Sequence, residues 1–352
     1  MSEGSVFQRK DGKWCAKYKD ATEKWRYLYR KNKSEVKKAL REALKDRDEG
    51  IVPATKMSVG KLIDEWMDSS KDSVSLRTWE NREGIARLHI KPKIGTKKLA
   101  RLTAEDVRTL YRQKLAQGLA SSSVKRIHHI LNQAMREAVR LKYIRHNPLD
   151  DVKPPQQHRQ EIDVLGPDDV RKLLDAARGS RYEAIIVLGA TCGLRVGECL
   201  SLRYEDVDFD RGRLNIRRTL WCNQVYEPKT PRSRRTVTLP YLALDALRRH
   251  VKGHGVGRGW LFQTKHGNPI AAPNFHKCGW KPMLRKAGLS EATRFHDLRH
   301  GTASLLLNQN VPIPVVSKYL GHANPGITMK VYAHMIDGTS SIAASGIDEA
   351  LH

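Results

Sequence analysis

Between Asp150 and Gln160 the chain runs DDVKPPQQHRQ, polar but for one valine and carrying two adjacent prolines. Each proline locks its φ and lacks an amide hydrogen, so neither a helix nor a central strand runs through this stretch. A segment of this composition serves as a linker between separately packed bodies. The chain is therefore expected to fold on either side of it, and the apolar spacing differs on the two sides.

On the N-terminal side, residues 57–150 are expected to be wholly helical. Leu62, Ile63 and Trp66 form one stripe, and a second helix is expected from about Ser75 to Ile90. Thr103 with Asp106 three residues on is a variant of the capping box, ahead of VRTLY at 107–111. A last helix from about Ser122 carries the stripe Ile127, Leu131, Ala134, Ala138 and Leu141, and Asn147-Pro148 ends it. His128 and His129 are expected at its surface or facing DNA. Residues 1–50 read as a smaller unit. WCAKY at 14–18 and WRYLY at 25–29 are strands, Asp11-Gly12 is a turn, and Ser34 is the N-cap of a Lys/Glu/Ala helix. Trp14, Tyr18, Trp25 and Tyr27 are expected to form its core. IVPATK at 51–56 reads as a linker.

Beyond Gln160 the pattern is mixed. GPDDV at 166–170 opens a helix, and AIIVLGA at 184–190 is apolar enough for a fully buried one leading to Gly193. RLNIRRTLW at 213–221 and RTVTL at 235–239 read as strands flanking a segment with Lys229. The expected fold class is multidomain α+β. A small N-terminal β-sheet-plus-helix domain spans 1–50, an all-helical domain 57–150 and a mixed, mainly helical domain 160–352.

Charge says what such a chain meets. Its 64 Lys+Arg against 38 Asp+Glu leave a net +26, spread over every segment. An excess of this size and distribution points to a long footprint on nucleic acid. In the first unit Lys17, Lys19, Lys24, Arg26 and Arg30 are expected to meet it. No window approaches 18 apolar residues, so no membrane partner is expected. MSEGSVFQRK lacks the apolar centre of a signal peptide. The five cysteines, Cys15, Cys192, Cys199, Cys222 and Cys278, form no C-x-x-C pair and read as reduced thiols of a cytoplasmic protein. Cys192 and Cys199 are expected as small packing residues.

The C-terminal half also concentrates chemistry. Arg195, after Gly193 and amid apolar sequence, needs an anionic partner. Taken alone, an internal pair with Glu198 is as good an answer as a bound phosphate. Arg299 in HDLRH poses the same problem, and two guanidiniums on one phosphate solve it twice, since their forked donors match its oxygens. His296 lies one turn from Arg299 and shares its face. Gly321 ends the VVSKYL helix and holds His322, and Asn324-Pro325 restarts the chain. Tyr332 has apolar neighbours at Ile327, Val331 and Met335, which fits a structural tyrosine. A phenol nucleophile beside arginines, histidines and a lysine would instead conserve phosphodiester energy as a covalent phosphotyrosine.

The ordered set Arg195, Lys229, His296-x-x-Arg299, His322, Tyr332 resembles the tyrosine recombinases, specifically integrases of phages and mobile elements. HDLRHGTASLLL from His296, VSKYLGHAN from Val316 and VYAH from Val331 carry the likeness, which covers about 160–340. The resemblance implies a site-specific recombinase that cleaves and rejoins DNA through a 3′-phosphotyrosine, integrating and excising a phage or mobile element. It implies catalytic roles for Arg195, Lys229, His296, Arg299, His322 and Tyr332, with Glu198 in support. It implies an arm-type DNA-binding domain at 1–50, a core-binding domain at 57–150 and a catalytic domain with a C-terminal tail over 160–352. No cofactor or metal is expected. The implied partners are double-stranded core and arm attachment sites, three further copies in a tetramer on DNA, a host bending protein and a directionality factor. Lys229 shares its loop with Arg232, Arg234 and Arg235, which compete for its role. Three rivals remain: a non-catalytic DNA-binding regulator, a zinc enzyme built on His296 and His300, and a type IB topoisomerase. The regulator leaves the ordered set unexplained. The zinc reading lacks the glutamate of H-E-x-x-H. The topoisomerase has no need of an arm-like N-terminus.

Overall fold

A computed structural model describes residues 4–51, 57–156, 165–227, 234–255 and 257–321, together with 324, 326, 329, 348, 349 and 351. The chain is multidomain α+β and divides into two compact units, 1–159 and 160–352. Most of the IVPATK stretch lies outside the described residues, as do 157–160 of DDVKPPQQHRQ.

The first unit begins with an antiparallel sheet of β1 (Ser5–Gln8), β2 (Trp14–Lys19) and β3 (Trp25–Arg30), with β2 central. Alternation sends Ala16 and Tyr18 to one face, where they meet Val36 and Leu40 of α1 (Lys33–Asp48), with Trp14 and Leu28 beside them. The expectation of a four-aromatic core was half wrong. Trp25 is 49% and Tyr27 48% exposed, because one helix covers only one face of the sheet. Arg26 is engaged with buried Asp20 at 2.6 Å, so it serves the fold rather than standing free. The helix begins after Asn32, two residues before the expected cap at Ser34.

The helical part comprises α2 (Val59–Ser69), α3 (Leu76–Ile85), α4 (Lys91–Ile94), α5 (Ala104–Ala116) and α6 (Ser121–Arg140). The helix expected to end at Ile90 runs on through a π turn at Ala86–Ile90 into α4. Thr103 and Asp106 cap α5 reciprocally, Asp106 N donating to Thr103 Oγ1 and Thr103 N to Asp106 Oδ2. Leu62, Ile63, Trp66, Ile127, Leu131, Ala134 and Ala138 share one core. Leu141 leaves the stripe because α6 stops at Arg140. His128 is not a surface residue: it is buried, with Nδ1 2.8 Å from the Tyr111 hydroxyl. Arg145 pairs with Asp46 at 2.5 Å and Glu49 at 3.3 Å, tying the end of α1 to the segment after α6.

The second unit contains α7 (Pro167–Ala177), α8 (Glu183–Cys192), α9 (Val196–Leu200), β4 (Val207–Asp208), β5 (Arg213–Ile216), β6 (Thr219–Trp221), β7 (Gln224–Tyr226), β8 (Arg235–Thr238), α10 (Tyr241–His254), α11 (Ala272–Phe275), α12 (Lys281–Lys286), α13 (Phe295–Asn308) and α14 (Ile313–Leu320). RLNIRRTLW breaks into two strands in different sheets: β5 lies between β4 and β8, while β6, among the described residues, pairs with β7 alone. α8 is buried along its length and packs on α10 and α13. Gly189 makes that approach possible, since a Cβ there would lie 2.5 Å from the Phe295 ring. Thr302 Oγ1 donates to Ala190 O at 3.0 Å and locks α13 to α8. Cys192 and Cys199 are fully buried packing residues of this core. Among the described residues no helix is long and apolar enough to cross a membrane.

Candidate active site

The site grows from the C-terminal end of α8. Gly193 takes a left-handed φ of 60°, ending the helix, and a Cβ there would lie 2.4 Å from Leu320. Two residues on, Arg195 is extended and caps α9, whose Glu198 turns back to accept from Arg195 N at 3.0 Å. Glu198 also accepts from Arg195 Nη1 at 2.6 Å. The internal pair foreseen for Arg195 is thus present, yet its side chain is 40% exposed. Among the described residues nothing bonds its Nε or Nη2.

Glu198 has a second cation. Arg235, at the start of β8, reaches both carboxylate oxygens at 3.4 and 3.2 Å. Burial would raise the Glu198 carboxyl, but the charges of Arg235 and Arg195 outweigh it and hold it below its ordinary value. Arg234, beside it in sequence, pairs with Glu227 at 2.5 Å. Sequence reasoning had Arg235 only as a competitor for Lys229. Its period-two register with Val237, the apolar residue of that strand, was the available signal that it points inward.

Helix α13 supplies the other pieces. Asp297 caps it, accepting from Arg294 N at 2.7 Å and from the Arg294 guanidinium. That use of Asp297 accounts for the aspartate in HDLRH. Arg299 is 2% exposed, and its Nη1 donates to Gly193 O at 2.8 Å, which joins α13 to the turn before Arg195. His296 remains exposed on the first turn, its ring 5.2 Å edge-on from that of His300. Its imidazole is pulled down to about 4 by partial withdrawal from water, then by His300, Arg299, Arg195 and Arg294. Both arginines therefore act on one neutral histidine. Because the ring still faces solvent, the neighbouring charge is the part of that shift an arriving anion would change.

The end of α14 abuts this group. Gly321 takes φ 69°, the C-terminal glycine expected there, and Tyr319 OH donates to Thr191 O at 3.3 Å. Lys229, His322 and Tyr332 lie outside the described residues, as does Pro325. Beside the site a cleft of about 820 Å³ is lined by Arg217, Arg218, Tyr226, Arg234 and Arg235, among others. The arrangement is suited to receive an anion against two guanidiniums with an unprotonated imidazole at its edge.

Comparison with known proteins gives the family of the chain. Residues 163–338 match the phage integrase family, and 58–116 match the N-terminal SAM-like domain of phage integrases. A XerC-like tyrosine recombinase of Caldanaerobacter subterraneus subsp. tengcongensis is 28% identical over 92% of this chain and 91% of its own. The Tn1549 transposon integrase, solved with a circular intermediate DNA, superposes with a TM-score of 0.73 at 20% identity, over 84% of this chain and 99% of that one. A lambda integrase tetramer bound to a Holliday junction gives 0.62 at 18% identity, over 91% of this chain and 96% of that one.

Proposed function

The chain belongs to the phage integrase family, and from that premise we propose that Arg195, Lys229, His296, Arg299, His322 and Tyr332 are its catalytic residues. The protein is a tyrosine-type site-specific recombinase acting in DNA integration and excision. The Tyr332 oxygen attacks the scissile phosphorus and its proton passes to a histidine. The P–O5′ bond breaks and Lys229 protonates the leaving 5′-oxygen, which leaves a 3′-phosphotyrosine. A 5′-hydroxyl from the partner duplex then reverses the step, so bond energy is conserved without cofactor. Arg195 and Arg299 neutralise the non-bridging oxygens as charge builds.

The observation that carries this reading is that Arg195, with its side chain 40% exposed, and Arg299, buried on Gly193 O, both act on His296. An imidazole neutral at pH 7 accepts a proton; an imidazolium does not. The test is a core-site duplex nicked beside the scissile phosphate, which traps the covalent adduct on a denaturing gel. Adduct should form equally with and without EDTA. No adduct at all would end the reading, and loss of adduct with EDTA would favour a metal enzyme.

His296 makes a pH prediction. A phosphate seated between the arginines favours the imidazolium, so its pKa rises on binding and a proton is taken up. Affinity for core-site DNA should therefore increase as pH falls from the ordinary histidine range toward the free-protein value of about 4. His296→Gln should lack that increment. Binding isotherms between pH 5 and 8, wild type against variant, check it; parallel curves would refute it.

The domain assignments follow. Residues 160–352 are the catalytic domain, 57–150 bind the core site, and 1–50 bind an arm site. The outer face of the small sheet supports the last assignment. Lys17 Nζ lies 4.1 Å from the Trp25 ring centroid and Arg9 5.2 Å from that of Tyr29, a cationic and aromatic surface on one side of β2 and β3. The protein is proposed to act in the bacterial cytoplasm as a tetramer on DNA, with a host bending protein and a directionality factor. A chain shortened to begin at Met57 should still cleave a core-site oligonucleotide but lose integration between full attachment sites, since the second grip supplies avidity. The slope of log affinity against log salt should fall by about 0.9 for each phosphate contact removed. Full integration by the shortened chain would remove the arm assignment.

A further inference from the structure

The proposed mechanism uses Arg195, but nothing in it explains how an arginine holding a buried carboxylate keeps charge to spare for a phosphate. A lone Arg195–Glu198 pair would be neutral. Here the carboxylate is shared by two guanidiniums, so the trio keeps one net positive charge. The second guanidinium is placed with more care than surface charge requires. Arg235 and Glu198 side chains are each only 6% exposed. Arg235 Nε donates to Tyr319 O at 3.1 Å, at the C-terminal end of α14. Gly321 leaves room for it, since a Cβ there would sit 2.8 Å from Arg235 Cδ and Nη1. One side chain thus joins three elements: β8, which follows the Lys229 segment; α9, whose cap is Arg195; and the last turn of α14, which precedes His322.

We propose that Arg235 is a positioning residue for recombination: it holds Glu198, and through it Arg195, in register with the end of α14, and it leaves Arg195 the charge to bind phosphate. The proposal rests on Arg195 being a phosphate ligand. Buried ion pairs add little stability over apolar packing, and their clearest use is to select one geometry. The arrangement matches that use, because in sequence each of the three elements Arg235 joins lies within six residues of a proposed catalytic residue. Glu198 is held ionised here by Arg235 first and Arg195 second, against its burial.

The experiment measures core-site affinity and single-turnover adduct formation on the nicked duplex for the full chain. Wild type is compared with Arg235→Met, Arg235→Lys, Glu198→Gln and the double variant Glu198→Gln/Arg235→Met. Arg235→Met should keep its affinity for the site while adduct forms about 10- to 100-fold more slowly, the scale seen when an outer partner of a metal ligand is removed. Arg235→Lys should recover part of the rate, because it keeps the charge while losing the fork. The double variant should cleave no more slowly than Glu198→Gln alone, because Arg235 acts through that carboxylate. Should Arg235→Met fail to fold around a buried carboxylate left with Arg195 alone, the double variant carries no such charge and its comparison with Glu198→Gln decides the matter. A wild-type rate for Arg235→Met, or single losses that multiply in the double variant, would overturn the proposal. Absence of adduct with wild type would overturn the catalytic assignment beneath it as well, which separates the two failures.

Discussion

Tyr332→Phe should bind its core site as wild type does and yield no covalent adduct on the nicked duplex. The change removes one oxygen and no carbon, so it makes no cavity and the fold has no reason to alter. What disappears is the oxygen proposed to bond phosphorus. Histidine, lysine and arginine neighbours can polarise the phosphate, but they cannot store the diester bond through a long-lived exchange. The expected loss is therefore complete within detection. Adduct from the Phe variant would transfer the nucleophile to another residue, and mapping the DNA-linked peptide would identify it.

The second large effect is at the two arginines. Removing one preorganised donor from a developing oxyanion costs about 10²–10³ in rate. Arg195→Ala and Arg299→Ala should each slow adduct formation by at least that much while site binding persists. The two differ in what they leave behind. After Arg195→Ala, Glu198 still has Arg235 at 3.2 Å, so the fold keeps a paired carboxylate. Arg299→Ala strands the Gly193 carbonyl and hollows the contact between α13 and the α8 turn, so it should also lower the melting temperature. Single-turnover rates and thermal melts on both variants check this. Near-normal cleavage by either variant would remove its role on phosphate, and equal melts would contradict the structural distinction.

Several local features were legible because neighbours in the chain set them. Pro167 opening α7, the Thr103–Asp106 box and the left-handed turns at Gly193 and Gly321 each depend on residues within about four positions. The order of arginine, lysine, histidine and tyrosine along the chain was legible in the same way. Where the reading failed, the missing information came from far away. Period two puts Trp14, Ala16 and Tyr18 on the sheet face opposite Lys17, Trp25 and Tyr27, but it does not say which face α1 covers. His128 looked like half of a surface pair until the Tyr111 hydroxyl, seventeen residues back, met it inside the bundle.

By itself, then, the sequence determined most of the helices, the Thr103–Asp106 cap, the glycine turns and the inventory of reactive groups, all consequences of short-range stereochemistry and spacing. Only the tertiary structure decided that Arg299 binds the carbonyl of Gly193 across 106 residues and that Arg235 reaches Glu198 across 37. Such pairings are chosen by burial. A charge withdrawn from water must find a partner wherever packing brings one, and no periodicity along the chain records where that will be.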